Sequence, residues 1–146
     1  VTIRAAEEKD IVGIVSRGAL HHEELAMPWP FDPVSAANTV RALIEQDSLL
    51  VEDSLAGYIG YEIGGIYFNH NVKLATEHFW YVLPSHRDTG LGSQLLEAAK
   101  TKAKAQGADW FGVQLPQNSK EAINLVNKKG FIKMHGIYGV SLWPEA

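Results

Sequence analysis

The sequence predicts a single α/β domain, and three observations predict it. Stretches with apolar residues at helical spacing alternate with short runs of β-branched and aromatic residues. The 146 residues are 46% hydrophobic and 21% charged, the composition of an ordinary folded domain with room for one core. No repeat, low-complexity tract or linker divides the chain.

The elements follow in order. Thr2 to Ala6 reads as a short strand. Glu7 and Glu8 then open a helix whose apolar positions Ile11, Ile14, Val15 and Leu20 keep a 3.6 period, and acidic residues suit a first turn. His21 to Phe31 reads as a loop, with Pro28 and Pro30 on either side of Trp29. Asp32-Pro33 is a helix start, a capping carboxylate followed by proline at the first helical position. Val34, Ala37, Val40, Leu43 and Ile44 form that helix's apolar stripe. Ser48 to Glu52 and Leu55 to Tyr67 read as strands joined by a turn at Asp53-Ser54. Glycines 57, 60, 64 and 65 predict a bulge or bend in the second of them. Thr76 to Leu83 is the most strand-like segment and ends at Pro84. Leu91 to Gln106 carries Leu91, Leu95, Ala99 and Ala103 on one helical face and ends at Gly107. A strand over Trp110 to Leu115 and a helix over Asn118 to Lys129 follow. Phe131 to Met134 and Tyr138 to Trp143 are expected to close the sheet as an antiparallel pair.

Composition also excludes chemistries. With no cysteine there is no disulfide framework, thiolate metal site or cysteine nucleophile. A formal net charge of −4 argues against a phosphate-tracking nucleic-acid binder and weakly favours cationic or neutral partners. The longest apolar candidate, Gly57 to Phe68, is interrupted by Glu62 and falls short of the ~18 residues a membrane helix needs. Val1-Thr2-Ile3-Arg4 has neither the charged start nor the apolar core of a secretory signal, so a cytoplasmic location is expected. His21-His22-Glu23-Glu24 lacks H-E-x-x-H spacing and reads as a solvated helix end, so no metal is expected.

The chemistry concentrates in Arg87-Asp88-Thr89-Gly90-Leu91-Gly92, between a strand and a helix. Two glycines there let the backbone approach a ligand closely, and the free N–H groups and dipole of the helix start favour an anion such as a pyrophosphate. The dinucleotide fingerprint fails because Leu95 stands where its third glycine belongs, and there is no Gly-Lys-Ser/Thr of a P-loop.

The stretch Val82-Leu83-Pro84-Ser85-His86-Arg87-Asp88-Thr89-Gly90-Leu91-Gly92 resembles the acetyl-CoA signature of the GCN5-related N-acetyltransferases, Gln/Arg-x-x-Gly-x-Gly/Ala after a V-x-P strand end. Ile3-Arg4, Ala122-Ile123 and Lys129-Gly130-Phe131 fall in register with the same superfamily. The resemblance implies a GNAT fold, a mixed sheet of about six to seven strands flanked by about four helices. It implies acetyl-CoA as co-substrate, direct acetyl transfer to a primary amine on a small molecule or peptide, and an option of homodimers. By the same resemblance, N–H groups from Asp88 through Thr89, Gly90, Leu91 and Gly92 to Ser93 would cradle the pyrophosphate, with Arg87 at the opening position. Tyr81, Val82 and Leu83 would pair with the pantetheine arm, the N–H of Val82 or its neighbour would polarise the acetyl carbonyl, and Asn118 or Ser119 would lie near the pantetheine or sulfur.

In a regular strand Thr76, His78, Trp80 and Val82 share one face, and the positions of Thr76 and His78 carry the base in some relatives. His78 is therefore the leading general base, since an unperturbed imidazole titrates near 6.5. Glu77 would face away unless a bulge re-aims it, and Glu62 is a third candidate. The usual general-acid tyrosine falls at Val126, which leaves Tyr138, Tyr81 or water to protonate the thiolate and raises the alternative of a CoA-binding module with little turnover. Trp29 and Phe31, between the first two helices, together with Trp80, are candidate walls of the acceptor site.

Overall fold

The computed structural model describes residues 1–144 and contains four α-helices and a five-stranded sheet among them. The helices are α1 (Ile11–Leu25), α2 (Pro33–Glu45), α3 (Leu91–Ala105) and α4 (Lys120–Lys128). The strands are β1 (Ile3–Ala5), β2 (Leu49–Glu52), β3 (Gly57–Ile66), β4 (Asn69–Val82) and β5 (Trp110–Gly112). Spatial order equals sequence order: β1 to β4 are antiparallel neighbours, and β5 joins β4 in parallel after the α3 crossover. A parallel neighbour needs such a helical connection, whereas antiparallel ones need only turns. The chain forms two compact units, residues 1–116 and 117–146.

In the first unit, α1 and α2 cover one sheet face and α3 the other. The α1/α2 side is filled by Ile11, Ile14, Val40, Leu43, Leu49, Val51, Tyr58 and Tyr81, with Phe79 and Leu83 packed against them. On the other side Leu91, Leu95, Leu96, Ala99 and Ala103 of α3 are all buried, the predicted apolar stripe of that helix. Gly57 marks a close approach of α3: a Cβ there would lie 2.9 Å from Leu95 and 3.2 Å from Leu91.

Local chemistry sets the helix starts. Asp32 accepts from the Ser35 N–H at 3.1 Å and Pro33 begins α2, as its sequence predicts. The start of α1 is more tertiary. A 3-10 turn over Glu8–Asp10 precedes it, with Glu7 and Asp10 in a reciprocal capping arrangement. Arg4 of β1 donates to both oxygens of buried Asp10 at 2.7 and 2.9 Å, tying the first strand to the first helix. The Arg4 hydrogen bond holds the Asp10 carboxyl below the usual carboxylate range.

Three expectations need correction. First, α1 continues through Leu25 rather than ending before His21, because its last turn is held by side-chain contacts to β4 and the following turn. Second, β4 begins at Asn69, not Thr76, since Asn69, Lys73, Leu74 and Ala75 pair with Ile66, Gly65, Gly64 and Ile63 in the far half of β3. Third, the sheet has five strands among the described residues: 131–144 form no strand, and the expected closing pair is absent. Ile132, Met134, Tyr138, Val140 and Leu142 are all exposed there, so no buried face fixes a register. The irregularity foreseen in the β3 glycine run is present at Gly60/Tyr61 and at Gly65/Ile66; at the first, Gly60 faces Phe79 and Tyr61 faces Glu77, leaving His78 of β4 as the extra residue of a β-bulge.

Candidate active site

The turn from β4 to α3 is built by backbone conformation more than by side chains. Pro84–His86 form a single 3-10 turn, Arg87 is extended, and Asp88 and Gly90 take left-handed φ of 64° and 85°. Gly90 caps α3 with no side-chain partner for the helix, and the first intrahelical bond runs from Gln94 N–H to Gly90 O at 3.0 Å. The amides of Leu91, Gly92 and Ser93 therefore point out of the helix start without intrahelical acceptors. Together with the α3 dipole they favour an anion at this point. Thr89 Oγ1 donates to His86 O at 2.6 Å and closes the turn on itself. The Trp80 indole N–H donates to Gly92 O at 3.1 Å, so Trp80 buttresses the turn from the α3 side of the sheet.

β4 outruns β5. Their pairing covers only Leu74–Thr76 against Trp110–Gly112, so Glu77 to Val82 have no strand partner on that edge among the described residues. Leu83 N–H points the other way, to Ala56 O at 2.8 Å. By strand alternation the Val82 N–H faces the open edge. Val82 O on that edge is taken by Arg87 Nε at 3.0 Å. An extended arm laid along this edge meets free backbone groups, and an anion at its end meets the α3 start. The residues fit a pantetheine pyrophosphate on both counts.

The bulge divides the residues expected to share a face. Thr76 pairs with Glu62, and His78 Nε2 bonds Glu62 Oε2 at 2.8 Å. These three line a cavity of about 240 Å3 with Ile63, Gly64, Gly65 and Leu74. Trp80 instead lies with α3, and Glu77 is re-aimed to that same side. It pairs with Tyr61, whose hydroxyl reaches Gln106 at the end of α3. Glu77 is only 6% exposed. Burial pushes its carboxyl up to about 7, partly opposed by the Gln114 N–H. The structure thus holds a buried carboxyl raised to about 7 in the α3 layer and, open to a cavity, an imidazole hydrogen-bonded to a carboxylate.

The last turn of α1 belongs to the same region, although its sequence reads as a solvated end. Glu24 Oε2 accepts from Arg87 Nη2 at 2.7 Å, and Glu24 Oε1 accepts from Tyr81 OH at 3.1 Å. The Arg87 guanidinium lies 5.5 Å from the Tyr81 ring centroid, so its charge faces Glu24 and β4 in this structure. His21 stacks on the same ring at 4.7 Å, and burial holds its imidazole below the ordinary value. His22 Nε2 bonds the Trp29 carbonyl at 2.8 Å, and its ring lies 5.7 Å from Phe31. Trp29 is about half exposed and Phe31 half-buried. No sequence signal marks Glu24 as a partner of Arg87, because 63 residues separate them.

The remaining candidates lie in the second unit. Asn118 and Ser119 open α4, their carbonyls accepting from Lys120 and Ile123 N–H at 3.0 Å each. Val126 is buried in α4, and Tyr138 is almost fully exposed. Among the described residues no group of three or more His, Asp and Glu could hold a metal ion, and no helix is long and apolar enough to cross a membrane.

Fold and site together define a class, an α/β domain in which an unpaired strand edge runs up to a bare helix start. The sequence matches the acetyltransferase (GNAT) family over residues 17–131, and the chain belongs to that family, whose co-substrate is acetyl-CoA. No match is found among curated proteins. Solved structures share the fold at low identity. A transcriptional regulator from Bacillus halodurans C-125 is 21% identical with a TM-score of 0.78, covering 97% of this chain and 99% of its own. A predicted acetyltransferase from Clostridium acetobutylicum, solved with acetyl-CoA, is 16% identical at 0.75, covering 97% and 96%. AAC(6′)-Iy, in complex with the bisubstrate analog CoA-S-monomethyl-acetylneamine, is 16% identical at 0.70, covering 98% of each chain.

Proposed function

We propose that this chain transfers acetyl from acetyl-CoA to a primary amine by direct attack, with His78 as the general base and Glu62 orienting its ring. The observation that carries this reading is the bulge. It places His78 out of the ladder and against Glu62, on a cavity where an amine can reach it. Base, orienting carboxylate and open volume are what deprotonation of a bound ammonium needs. Acetyl-CoA supplies the activated acetyl group. The α3 start and its loop, Arg87 to Ser93, hold the pyrophosphate, and Tyr81 to Leu83 hold the arm. The Val82 N–H on the open edge of β4 stabilises negative charge developing on the acetyl oxygen.

The test is release of free thiol from acetyl-CoA with a panel of monoamines, polyamines, amino acids and peptides. The chain has no cysteine, so every thiol detected comes from the co-substrate. His78→Ala is expected to lower kcat about 10²- to 10⁴-fold at neutral pH, with a smaller loss at high pH where free amine is abundant. If His78→Ala is harmless and Glu77→Gln abolishes turnover, the buried carboxyl is the base, a second reading favoured by its titration near 7. Val126 stands where the resemblance calls for a tyrosine acid. Acetyl-CoA binding without thiol release from any amine would instead establish a CoA-binding module.

A further inference from the structure

We propose that Glu24 is a positioning residue. From the last turn of α1 it couples acetyl-CoA binding at the β4–α3 turn to the order of the Met27–Phe31 loop. The inference rests on the reading that Arg87 to Ser93 hold the CoA pyrophosphate. One carboxylate receives both the Arg87 guanidinium at 2.7 Å and the Tyr81 hydroxyl at 3.1 Å. Arg87 in turn donates to Val82 O at 3.0 Å. Glu24 therefore holds Tyr81, in the segment proposed to carry the arm, and Arg87, at the opening of the loop proposed to hold the pyrophosphate. Helix geometry gives this turn a second set of partners. His21 lies three residues before Glu24, on the same helix face, and stacks on the Tyr81 that Glu24 binds. His22 turns toward the loop, bonding the Trp29 carbonyl at 2.8 Å and lying beside Phe31.

The turn ends immediately at Ala26, whose left-handed φ of 51° starts the loop. A shift of the Arg87–Glu24 contact therefore acts on a turn whose next residues are the loop itself. An anion arriving at the α3 start competes with Glu24 for Arg87, or draws Arg87 and Glu24 together toward the turn. Either way the two sites share one element, which is the physical requirement for coupling between them.

Hydrogen exchange of the full chain, with and without saturating CoA, tests this. Wild type is expected to gain protection over both residues 87–94 and residues 26–32. Glu24→Gln keeps an acceptor for Tyr81 but loses the charge for Arg87. It is expected to retain CoA binding and protection over 87–94 and to lose protection over 26–32. His22→Ala is expected to lose the 26–32 response with CoA affinity within about twofold of wild type. Protection over 87–94 with no change over 26–32 in wild type overturns the coupling and leaves the CoA site standing. An unchanged 26–32 response in Glu24→Gln also overturns it. No CoA binding, or protection elsewhere than 87–94, overturns the site assignment and the inference with it.

Discussion

Asp88 occupies a left-handed backbone position, φ 64°, in the turn proposed to hold a pyrophosphate. Aspartate tolerates that conformation better than most residues, but glycine adopts it without cost and carries no charge. A carboxylate beside an anion site opposes its ligand, even when partly screened. Asp88→Gly is therefore expected to tighten CoA binding about 3- to 10-fold, measured calorimetrically at low salt, with the gain shrinking as salt rises. Unchanged affinity at low salt would place the phosphates away from this turn. His78 and Glu77 show how one residue decides roles at this scale. Adjacent in sequence, they face opposite layers in the regular alternation, and the bulge sends Glu77 into the α3 layer with Trp80 and His78 to the cavity with Thr76. The sequence places titratable groups at 77 and 78 but contains no signal for which side each takes.

The α3 helix shows how the element scale works. Its start, its stripe and its glycine cap beyond Gln106 are all legible, because each depends on residues within a few positions of one another. Its function depends on a bare start. A Cβ at Gly92 would stand 3.7 Å from Trp80 and Val82, an ordinary contact that the fold accepts. Gly92→Val should therefore keep the thermal midpoint within a few degrees, yet abolish detectable CoA binding by branching into the ligand's path. A variant that still binds CoA normally would remove the helix start from the site. Gly90 is less clean as a probe, since its φ of 85° strains any side chain. The end of α1 gives the opposite case. Its sequence reads as a fraying polar terminus, but Tyr81, Arg87 and the Trp29 carbonyl hold it as helix to Leu25. Tyr81 and Arg87 lie on other elements, out of reach of any local pattern.

At the scale of the molecule, burial under α3 gives Glu77 its titration. Its carboxyl is neutral in the folded state up to about pH 7, against 4.5 for an ordinary glutamate. Between those values the folded protein binds a proton that the unfolded chain has released. Stability from this group is therefore full below pH 4.5 and is lost as pH rises through about 7. Glu77→Gln, which keeps an acceptor for the Gln114 N–H, should leave stability nearly unchanged at pH 5. At pH 8 it should raise it by up to about 3 kcal/mol, read from urea unfolding at the two values. An equal effect at both pH values would mean that Glu77 stays ionised in the fold.

Much of this protein is written locally. The order of helices and strands, the Asp32-Pro33 start of α2, the inward stripe of α3 and the glycine-bearing turn at 87–92 all follow from neighbours in sequence, since capping, helical period and turn conformation are short-range. The missing cysteine is equally plain, and it excludes a cysteine acyl-enzyme. Only the tertiary structure decides what lies across the sheet: the bulge that separates His78 from Glu77, the β4 edge that β5 leaves open, the extension of α1 to meet Arg87, and the closing strand pair that does not form among the described residues. Each depends on strand register or on side chains dozens of positions apart. Registers and burial are settled by which surfaces pack together, and no window of sequence contains both partners.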